Sequence, residues 1–318
     1  MTETATQIEL DGQYRALREE AGFLVRARTA LLVSGPDAAE YLQGQLTNDT
    51  EAIGSDEGRY AALLDRKGHL TADMRVLRLE NGLWLDLEPS AGDSVLKHLR
   101  MYSVGRDVEV EDVTERWAVI SVIGPRAGEL AGFEGLGPEH AQRFRQWDGT
   151  DVLGVATDVG VDLIVRAEDA ALLEGALAEA GAVQVSEDAA EVVRIESGRP
   201  RFGLDMSSDH MPAEAAIVER AVDFEKGCYI GQEPVARLHY RGKPNRTLRG
   251  LRLSGPVAHG DPLHLGDREV GTIGTSCISP AHGAIALAIV RREAEVGEQL
   301  AVGDGSVTAQ VVELPFAP

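Results

Sequence analysis

The final quarter of the chain consists of short β-prone segments interrupted by glycines, and this pattern restricts the possible fold more than any other feature. The segments lie at residues 248–253, 270–278, 284–290, 299–302 and 307–314. A series of short, glycine-punctuated strands is typical of small antiparallel barrels and sandwiches. We therefore expect the chain to end in a small β-barrel or sandwich.

The preceding residues mix strand and helix patterns in two stretches. In each stretch an apolar strand, at 23–33 or 118–123, leads into a Gly-Pro turn and a short helical segment. At 318 residues the chain is also longer than one hydrophobic core usually organises, so two α+β units are expected here. Further strands are predicted at 59–64, 70–79, 83–87, 152–156 and 161–165, and further helices at 90–99 and from Leu172 to a stop at Gly181.

The charge balance argues against two classes of partner. The chain has 31 lysines and arginines against 52 aspartates and glutamates, a formal net charge of -21. A field of this sign repels phosphate backbones and anionic lipids, so no nucleic acid and no membrane partner is expected. The sequence shows neither a signal-peptide pattern nor a charge-free apolar span, which favours a cytoplasmic location. Cys228 and Cys277 are too few for a disulfide framework, and the histidines lack metal-ligand spacing.

One predicted helix carries a carboxylate on its apolar face. Asp188 is placed to cap this helix, and the apolar stripe that includes Val193 continues at Glu196. A buried charge without partners costs several kcal/mol, so Glu196 must either be paired or face a pocket. The residues alone leave both alternatives open: an ion pair with Arg194 or Arg199, or contact with a ligand.

The densest group of reactive side chains is the string KGCYIGQE, residues 226–233, which is followed by Arg237. The thiol of Cys228 can act as a nucleophile, and Lys226 and Arg237 are cations that would favour its thiolate. A lone cysteine is also often a small buried hydrophobe, and glycines can simply mark tight turns. The other candidate residues of the motif are Gly227, Tyr229, Gly231, Gln232 and Glu233.

The KGCYIGQE string resembles the signature of the YgfZ-type folate-binding proteins, which are relatives of the glycine-cleavage T-protein. Three more strings are similar to segments that this superfamily carries in the same order: YLQGQLTND at 41–49, RIESGRPRFGLD at 194–205 and MPAE at 211–214. The resemblance extends through most of the chain. It implies an α+β fold, a three-lobed T-protein-like ring with two α+β (ferredoxin-like) lobes and a C-terminal β-barrel, and tetrahydrofolate or a derivative as cofactor.

The resemblance also suggests domain limits. The expected domains are an N-terminal α+β folate-binding lobe at 1–114 that is completed by part of 190–240, a central ferredoxin-like lobe at 115–245 that contains KGCYIGQE, and the C-terminal β-barrel at 246–318.

Site roles follow from the same resemblance. In T-protein-like chains the glutamate of the Arg-x-Glu-x-Gly segment holds the pterin, which favours the ligand role for Glu196. Arg237 is expected to assist cofactor binding. T-protein carries adjacent aspartates after a glycine-rich strand entry, where this chain has only Asp73, with Ala72 beside it. Asp73 is therefore either the surviving catalytic carboxylate or a surrogate. Because loss of a positioned acid or base typically costs about 10²–10⁴-fold in rate, this departure weighs against T-protein chemistry.

Three functions are compatible with these observations. The leading hypothesis is a tetrahydrofolate-binding accessory factor that uses Cys228 in assembly or repair of iron-sulfur clusters, with iron-sulfur client proteins or the assembly machinery as partners. On that hypothesis the chain is not an enzyme in the ordinary sense. The alternative is a folate-dependent aminomethyl or methyl transferase, in which Asp73 orients the donor. A further alternative is a non-catalytic binding module that folate stabilises.

Overall fold

The computed structural model describes residues 2–147 and 149–317, with side chains from residue 9 onward. The helices are α1 (Thr2–Glu19), α2 (Ala38–Gln43), α3 (Pro89–Tyr102), α4 (Ala127–Leu130), α5 (Ala170–Glu179), α6 (Glu187–Glu196), α7 (Val218–Ala221) and α8 (Gln232–Arg241). The strands are β1 (Gly22–Arg26), β2 (Thr29–Ser34), β3 (Gly58–Leu64), β4 (Leu70–Leu79), β5 (Gly82–Leu87), β6 (Glu109–Asp112), β7 (Trp117–Ile123), β8 (Gln142–Trp147), β9 (Thr150–Ala156), β10 (Gly160–Arg166), β11 (Val183–Gln184), β12 (Arg246–Leu253), β13 (Pro262–Leu265), β14 (Arg268–Ser279), β15 (Gly283–Arg291), β16 (Gln299–Val302) and β17 (Val307–Val312).

The first sheet has five antiparallel strands in the order β3-β4-β5-β2-β6. Side chains alternate between its two faces, as strand geometry requires. Ala72 and Met74 of β4 therefore point to one face, where they share a core with Val95 and Leu99 of α3. The residue between them, Asp73, projects to the opposite face.

The second sheet has six strands in the order β11-β1-β7-β10-β9-β8. The apolar run at 23–33 was predicted as one strand, but it forms β1 and β2, which belong to different sheets. The break follows Arg26, the last residue of β1, and includes Arg28. The guanidinium groups of these two residues form ion pairs with Glu187 and Asp86 respectively. The sheets consequently exchange a segment, and β1 pairs with residues of the predicted central lobe.

The C-terminal strands form a closed barrel in the order β12-β15-β14-β13-β16-β17. Its interior is apolar and includes the fully buried Leu251, Leu263, Val290 and Val311. Closure pairs the first strand with the last, so the barrel leaves no open edge. The predicted α+β fold with a C-terminal barrel is thus confirmed. Strand β13 was not predicted; it begins with a proline, a residue that is rare within strands because it cannot donate to the hydrogen-bond ladder.

Among the residues that the structure describes, no helix is long and apolar enough to cross a bilayer.

Candidate functional site

A cavity lies between the two sheets, and α6 and the segment that follows it complete its wall. Strands β3 and β4 contribute from the first sheet, and strands β1, β7 and β10 from the second. The polar and charged lining consists of Arg26, Arg28, Tyr60, Asp73, Arg75, Glu88, Ser121, Glu139, His140, Thr157, Asp158, Asp162, Glu191, Arg194, Ser197, Arg199, Arg201 and Arg220. Such a dense set of ionisable groups in a concave site is typical of a functional pocket.

Asp73 is the lining carboxylate that stands apart from the others. Its Oδ2 accepts a 2.7 Å hydrogen bond from the hydroxyl of Tyr60, while its Oδ1 is buried and has no partner among the described residues. Burial raises the pKa of Asp73, against the opposing effect of the Tyr60 hydrogen bond. A buried carboxylate with one free oxygen is suited to accept a hydrogen bond or a proton from a bound molecule.

Each other carboxylate in the lining is engaged by an arginine. Arg28 and Arg201 bind Glu88, Arg199 and Arg220 bind Glu139, Arg199 binds Asp158, Arg75 binds Asp162, and Arg194 and Arg201 bind Glu191. Behind this layer, the buried Asp86 joins Arg28 and Arg75. The ion pairs fix the wall and neutralise most of its charge, since a buried ion is retained only when paired. Within the described residues, Asp73 is the cavity carboxylate without a salt bridge.

Two side chains pack against the ring of Tyr60. His140 stacks on it with ring centroids 6.2 Å apart, and the Arg220 guanidinium lies 4.6 Å from the ring centroid. Burial, reinforced by the positive charge of Arg75, lowers the pKa of His140 to about 4, so the imidazole is neutral at pH 7. Its Nδ1 is buried without a partner among the described residues, so a second residue of the cavity lining has an unsatisfied polar atom.

Sequence reasoning did not find this histidine or its neighbours. His140 has a φ of 72°, a left-handed conformation that histidine adopts more often than most side chains, and Tyr60 lies in an ordinary strand pattern. Neither position carries a local signal of function. The arginines that line the cavity are scattered along the chain, and only the tertiary structure brings them together.

Glu196, the predicted pterin ligand, does not line this cavity. Its carboxylate is 2% exposed and binds Arg18 and the hydroxyls of Tyr14 and Ser279. The predicted alternative of an ion pair is therefore realised, but with Arg18 of α1 rather than with Arg194 or Arg199. The ligand role of Glu196 stays a prediction without geometric support, whereas Glu191 of the same helix does reach the cavity.

The cap of α6 also differs from the prediction. Ser186 occupies the N-cap, and its hydroxyl accepts a hydrogen bond from the backbone N–H of Ala189. Asp188, predicted as the cap, lies inside the first turn. A carboxylate at that position still interacts favourably with the positive end of the helix, which explains the resemblance to a cap.

The KGCYIGQE segment lies outside the cavity, where it joins the chain at Tyr41–Asp49. The Lys226 ammonium donates to the backbone carbonyls of Gln43, Leu46 and Asn48 at 2.7 to 3.0 Å. Burial lowers the pKa of Lys226 to about 8. The strings KGCYIGQE and YLQGQLTND are thus parts of one structural unit, and the hydrogen bonds of Lys226 hold them together. The ammonium of Lys226 donates to these three carbonyls, and none of its hydrogen bonds goes to Cys228. That Lys226 favours the thiolate of Cys228 therefore stays a prediction.

The other motif residues occupy different surroundings. Cys228 is exposed, and the half-buried Cys277 is the other free cysteine. Tyr229 packs with Leu64 and Leu70 of the first sheet, although the motif was assigned to the central lobe. Gly231, Gln232, Glu233 and Arg237 line a separate groove. The structure therefore brings Asp73 together with none of the predicted motif residues, and Gly227 lies in open space.

Two domain families match the sequence. The GCVT N-terminal domain matches residues 4–226, and the glycine cleavage T-protein C-terminal barrel domain matches residues 246–317. The second match begins where the barrel begins.

Curated relatives and a solved structure agree with these matches. An aminomethyltransferase of Rubrobacter xylanophilus is 29% identical over 320 residues, covering 96% of this chain and 86% of the relative. An aminomethyltransferase of Exiguobacterium sibiricum is 30% identical over 320 residues, covering 96% of this chain and 88% of the relative. The crystal structure of glycine cleavage system aminomethyltransferase T from Bartonella henselae superposes with a TM-score of 0.86 at 21% identity, covering 97% of this chain and 89% of that one, which shows a shared fold. Since the N-terminal family alone spans most of the sequence, the chain belongs to the glycine cleavage T-protein (GCVT) family.

Proposed function

We propose that this protein is a folate-dependent one-carbon transferase, of the aminomethyltransferase type, and that its reaction takes place in the cavity between the sheets. The observation that carries the proposal is the position of Asp73. The sequence left open whether Asp73 is the surviving catalytic carboxylate or a surrogate for it, with Ala72 in the neighbouring place. Ala72 is fully buried in the core of the first sheet, whereas Asp73 lines the cavity with a free oxygen. Because Ala72 does not line the cavity, having alanine at this position removes no polar group from the site.

The lining fits a reduced folate. Tetrahydrofolate supplies ring nitrogens that accept a one-carbon unit. Asp73 Oδ1 is available to accept a hydrogen bond from such a nitrogen, and Tyr60 keeps the carboxylate aimed at the cavity. The neutral His140 offers a second polar contact that adds no charge. Arg199 and Arg201 are partly exposed and suit the carboxylates of a folate tail.

The names of the relatives support the class of reaction. Those compared above are aminomethyltransferases, and each aligns along nearly the whole chain. A positioned carboxylate is the group that such a transfer requires for proton movement at an amine. On this proposal the role of Asp73 is that of general base or acid, and the arginine and carboxylate layer holds it in place and limits access of water.

Substitution of Asp73 tests the proposal. Purified protein is incubated anaerobically with tetrahydrofolate and an aminomethyl donor, either a loaded lipoyl carrier protein or a sarcosine-like amine, and methylene- or methyl-tetrahydrofolate is measured. Asp73→Asn should reduce turnover by about 10²–10⁴-fold. Asp151→Asn, a matched change at an exposed position near the start of β9, should retain full activity. A wild-type protein that binds folate but consumes none of these donors would contradict the transferase.

A second candidate function is the accessory role in iron-sulfur cluster assembly or repair. Exposure of the Cys228 thiol, away from the cavity, favours it, as does the resemblance of KGCYIGQE to the YgfZ branch. Cys228→Ala should then lower the activity of iron-sulfur client enzymes under oxidative stress. Cys277→Ala is the matched control, because burial raises the pKa of Cys277 to about 12 and leaves it a thiol. Equal client activity in both variants would remove the thiol from this role.

A further inference from the structure

The strand that carries Tyr60 is supported from outside the cavity by the string YLQGQLTND. Strand β3 is the first of its sheet, so the backbone groups on its outer side have no neighbouring strand to pair with. The backbone N–H of Thr47 donates to the carbonyl of Ala62 at 3.0 Å, and the Thr47 hydroxyl accepts from the N–H of Ala62 at 2.8 Å. The next residue, Asn48, donates from Nδ2 to the carbonyl of Tyr60 at 2.9 Å. The string therefore supplies hydrogen-bond partners along the outer edge of β3.

The side-chain amide of Asn48 also binds a second element. Its Nδ2 donates to the carbonyl of Arg220, in α7, at 3.2 Å. Its Oδ1 accepts from the backbone N–H of Asp49 at 2.9 Å and lies 3.5 Å from Nη1 of Arg59. The oxygen thus meets donors and the nitrogen meets acceptors, which is the pattern that an amide requires. One side chain consequently joins the backbone of β3 to that of α7.

The two carbonyls that Asn48 binds belong to residues whose side chains meet in the cavity. The Arg220 guanidinium lies 4.6 Å from the centroid of the Tyr60 ring, and both residues line the cavity. The Tyr60 hydroxyl donates to Oδ2 of Asp73. Asn48 itself is not part of the lining, so it acts on this group only through the backbone that it holds.

The string KGCYIGQE in turn holds Asn48. The Lys226 ammonium donates to the carbonyl of Asn48 at 3.0 Å and to two further carbonyls of YLQGQLTND at 2.7 Å. The N–H of Asp223 donates to the carbonyl of Thr47 at 3.0 Å. An ammonium has three donors, and here each has an acceptor. The two strings, which lie outside the cavity, are therefore its supporting layer on the side of Tyr60.

We propose that Asn48 is a positioning residue for the Tyr60–Asp73 pair: its side-chain amide fixes the backbone at Tyr60, and the Tyr60 hydroxyl then holds the Asp73 carboxylate. The catalytic consequence rests on the transferase function proposed above, whereas the effect on the carboxylate does not. Loss of the amide leaves two backbone carbonyls without their donor, so β3 and α7 can move relative to each other. The anionic carboxylate then loses part of its hydrogen bond, which favours its protonated form.

A double-mutant cycle of Asn48→Ala and Tyr60→Phe tests the proposal. The pKa of the Asp73 carboxyl is followed by NMR in the full chain, labelled with carbon-13 at the aspartate carboxyl carbons, and its signal is assigned by its absence in Asp73→Asn. Asn48→Ala should raise this pKa, by less than Tyr60→Phe does, and should leave it unchanged in the Tyr60→Phe background. Arg28 and Glu88 also act on the charge of Asp73, but they are the same in every member of the cycle.

Tetrahydrofolate-dependent transfer gives a second readout in the same proteins. Asn48→Ala should lower kcat/KM by about tenfold, since a small misplacement of a reacting group can cost up to about 10²-fold in rate. This loss should be absent in the Tyr60→Phe background. Asn245→Ala, at an exposed position in the loop before β12, should behave like wild type in both measurements.

Asn48→Asp keeps the test decisive where the alanine variant does not fold. It preserves the size of the side chain and the acceptor oxygen, and it removes the donor nitrogen. The cycle cancels the direct effect of the added charge, because that effect is present in both backgrounds.

An unchanged pKa of Asp73, or an equal rise with and without the Tyr60 hydroxyl, would overturn the proposal, because a merely structural effect does not depend on that hydroxyl. A rise that requires the hydroxyl, in a protein whose wild type shows no transfer, would support the role of Asn48 and contradict the proposed reaction.

Discussion

The hydroxyl of Tyr60 donates a 2.7 Å hydrogen bond to Oδ2 of Asp73, across the first two strands of the five-stranded sheet. The register makes this contact possible. Asp73 pairs with Ala62, which lies two residues from Tyr60, so both side chains are on the same face of the sheet. That face looks into the cavity between the sheets. One oxygen of the carboxylate is thereby fixed, and the other is left for a ligand.

Loss of this hydrogen bond should change the pH dependence of the reaction. In Tyr60→Phe the anionic form of Asp73 loses its donor, so the pKa of the carboxyl should rise further above its usual value. The acidic limb of the kcat/KM profile for tetrahydrofolate-dependent transfer should shift to higher pH. Tyr41→Phe is a suitable control, because the Tyr41 hydroxyl bonds a backbone carbonyl in a core away from the cavity. A profile that does not move would exclude Tyr60 as a determinant of the Asp73 charge.

The buried His140 should make the protein less stable in weak acid. Its pKa is lowered from 6.5 to about 4 by burial, with Arg75 as the next cause, so between these values the unfolded chain binds more protons than the folded one. Stability from this group is complete above pH 6.5 and is lost as the pH falls toward 4, by up to about 3 kcal/mol.

Urea unfolding of wild type and His140→Asn at pH 7 and pH 4.5 measures this effect. Asparagine tolerates the left-handed backbone at this position and does not titrate. The variant should lose less stability than wild type between the two pH values. The same loss in both proteins would assign the acid sensitivity to other groups.

The sequence predicted most of the fold because its signals are local. Alternation in β4 and glycine spacing in the barrel depend on neighbours a few residues apart, and strands 70–79 and 299–302 match the observed bounds. The prediction of a single strand at 23–33 was wrong because two adjacent strands of similar composition lie there and belong to different sheets. Only ion pairs with distant residues, such as Arg28 with Asp86, mark that division.

The site was less accessible to sequence reasoning. Asp73 was identified through the family resemblance, and the structure places it in the cavity lining. The pairing of every other lining carboxylate with an arginine depends on contacts between residues that are distant in sequence. Glu196 shows the opposite failure. The helical stripe correctly predicted that it is buried, but could not tell whether a ligand or another part of the chain neutralises it. The partner, Arg18, is 178 residues away.

Glu196 should contribute to stability rather than to folate affinity. Glu196→Gln leaves Arg18 without its counter-ion and weakens the contacts with Tyr14 and Ser279, which hold α1 against α6 and β14. Because the arginine is 40% exposed and water can compensate it, we expect a loss of about 1–3 kcal/mol in the free energy of unfolding. Glu298→Gln, on an exposed turn, should change it by less than about 0.5 kcal/mol.

Calorimetric titration with tetrahydrofolate separates the two roles of Glu196. Affinity in Glu196→Gln should equal that of wild type, since the carboxylate does not line the cavity. A clear loss of affinity in this variant, without a comparable loss in Asp73→Asn, would restore Glu196 as the ligand of the pterin.

The two glycines of KGCYIGQE should respond differently to the same substitution. Gly231 has a φ of 82°, and an added Cβ would meet the Asp65 carbonyl at 2.4 Å, so Gly231→Ala combines backbone strain with a steric clash. The strain alone costs about 1–2 kcal/mol, and the clash forces the 65–68 turn away from α8. At Gly227 an added Cβ would meet nothing within 4 Å, so Gly227→Ala should leave stability unchanged or raise it by up to about 1 kcal/mol through the unfolded state.

Urea unfolding of the two variants, beside wild type, measures this difference directly. Comparing Gly227→Ala with Gly231→Ala also distinguishes a structural role of the motif glycines from a functional one. Gly227 precedes the exposed Cys228, and a Cβ atom there would contact nothing within 4 Å. If Gly227→Ala is fully stable yet impairs client-enzyme activity, the glycine serves the thiol and not the fold. Equal destabilisation in both variants would contradict the tight packing of Gly231 on the Asp65 carbonyl.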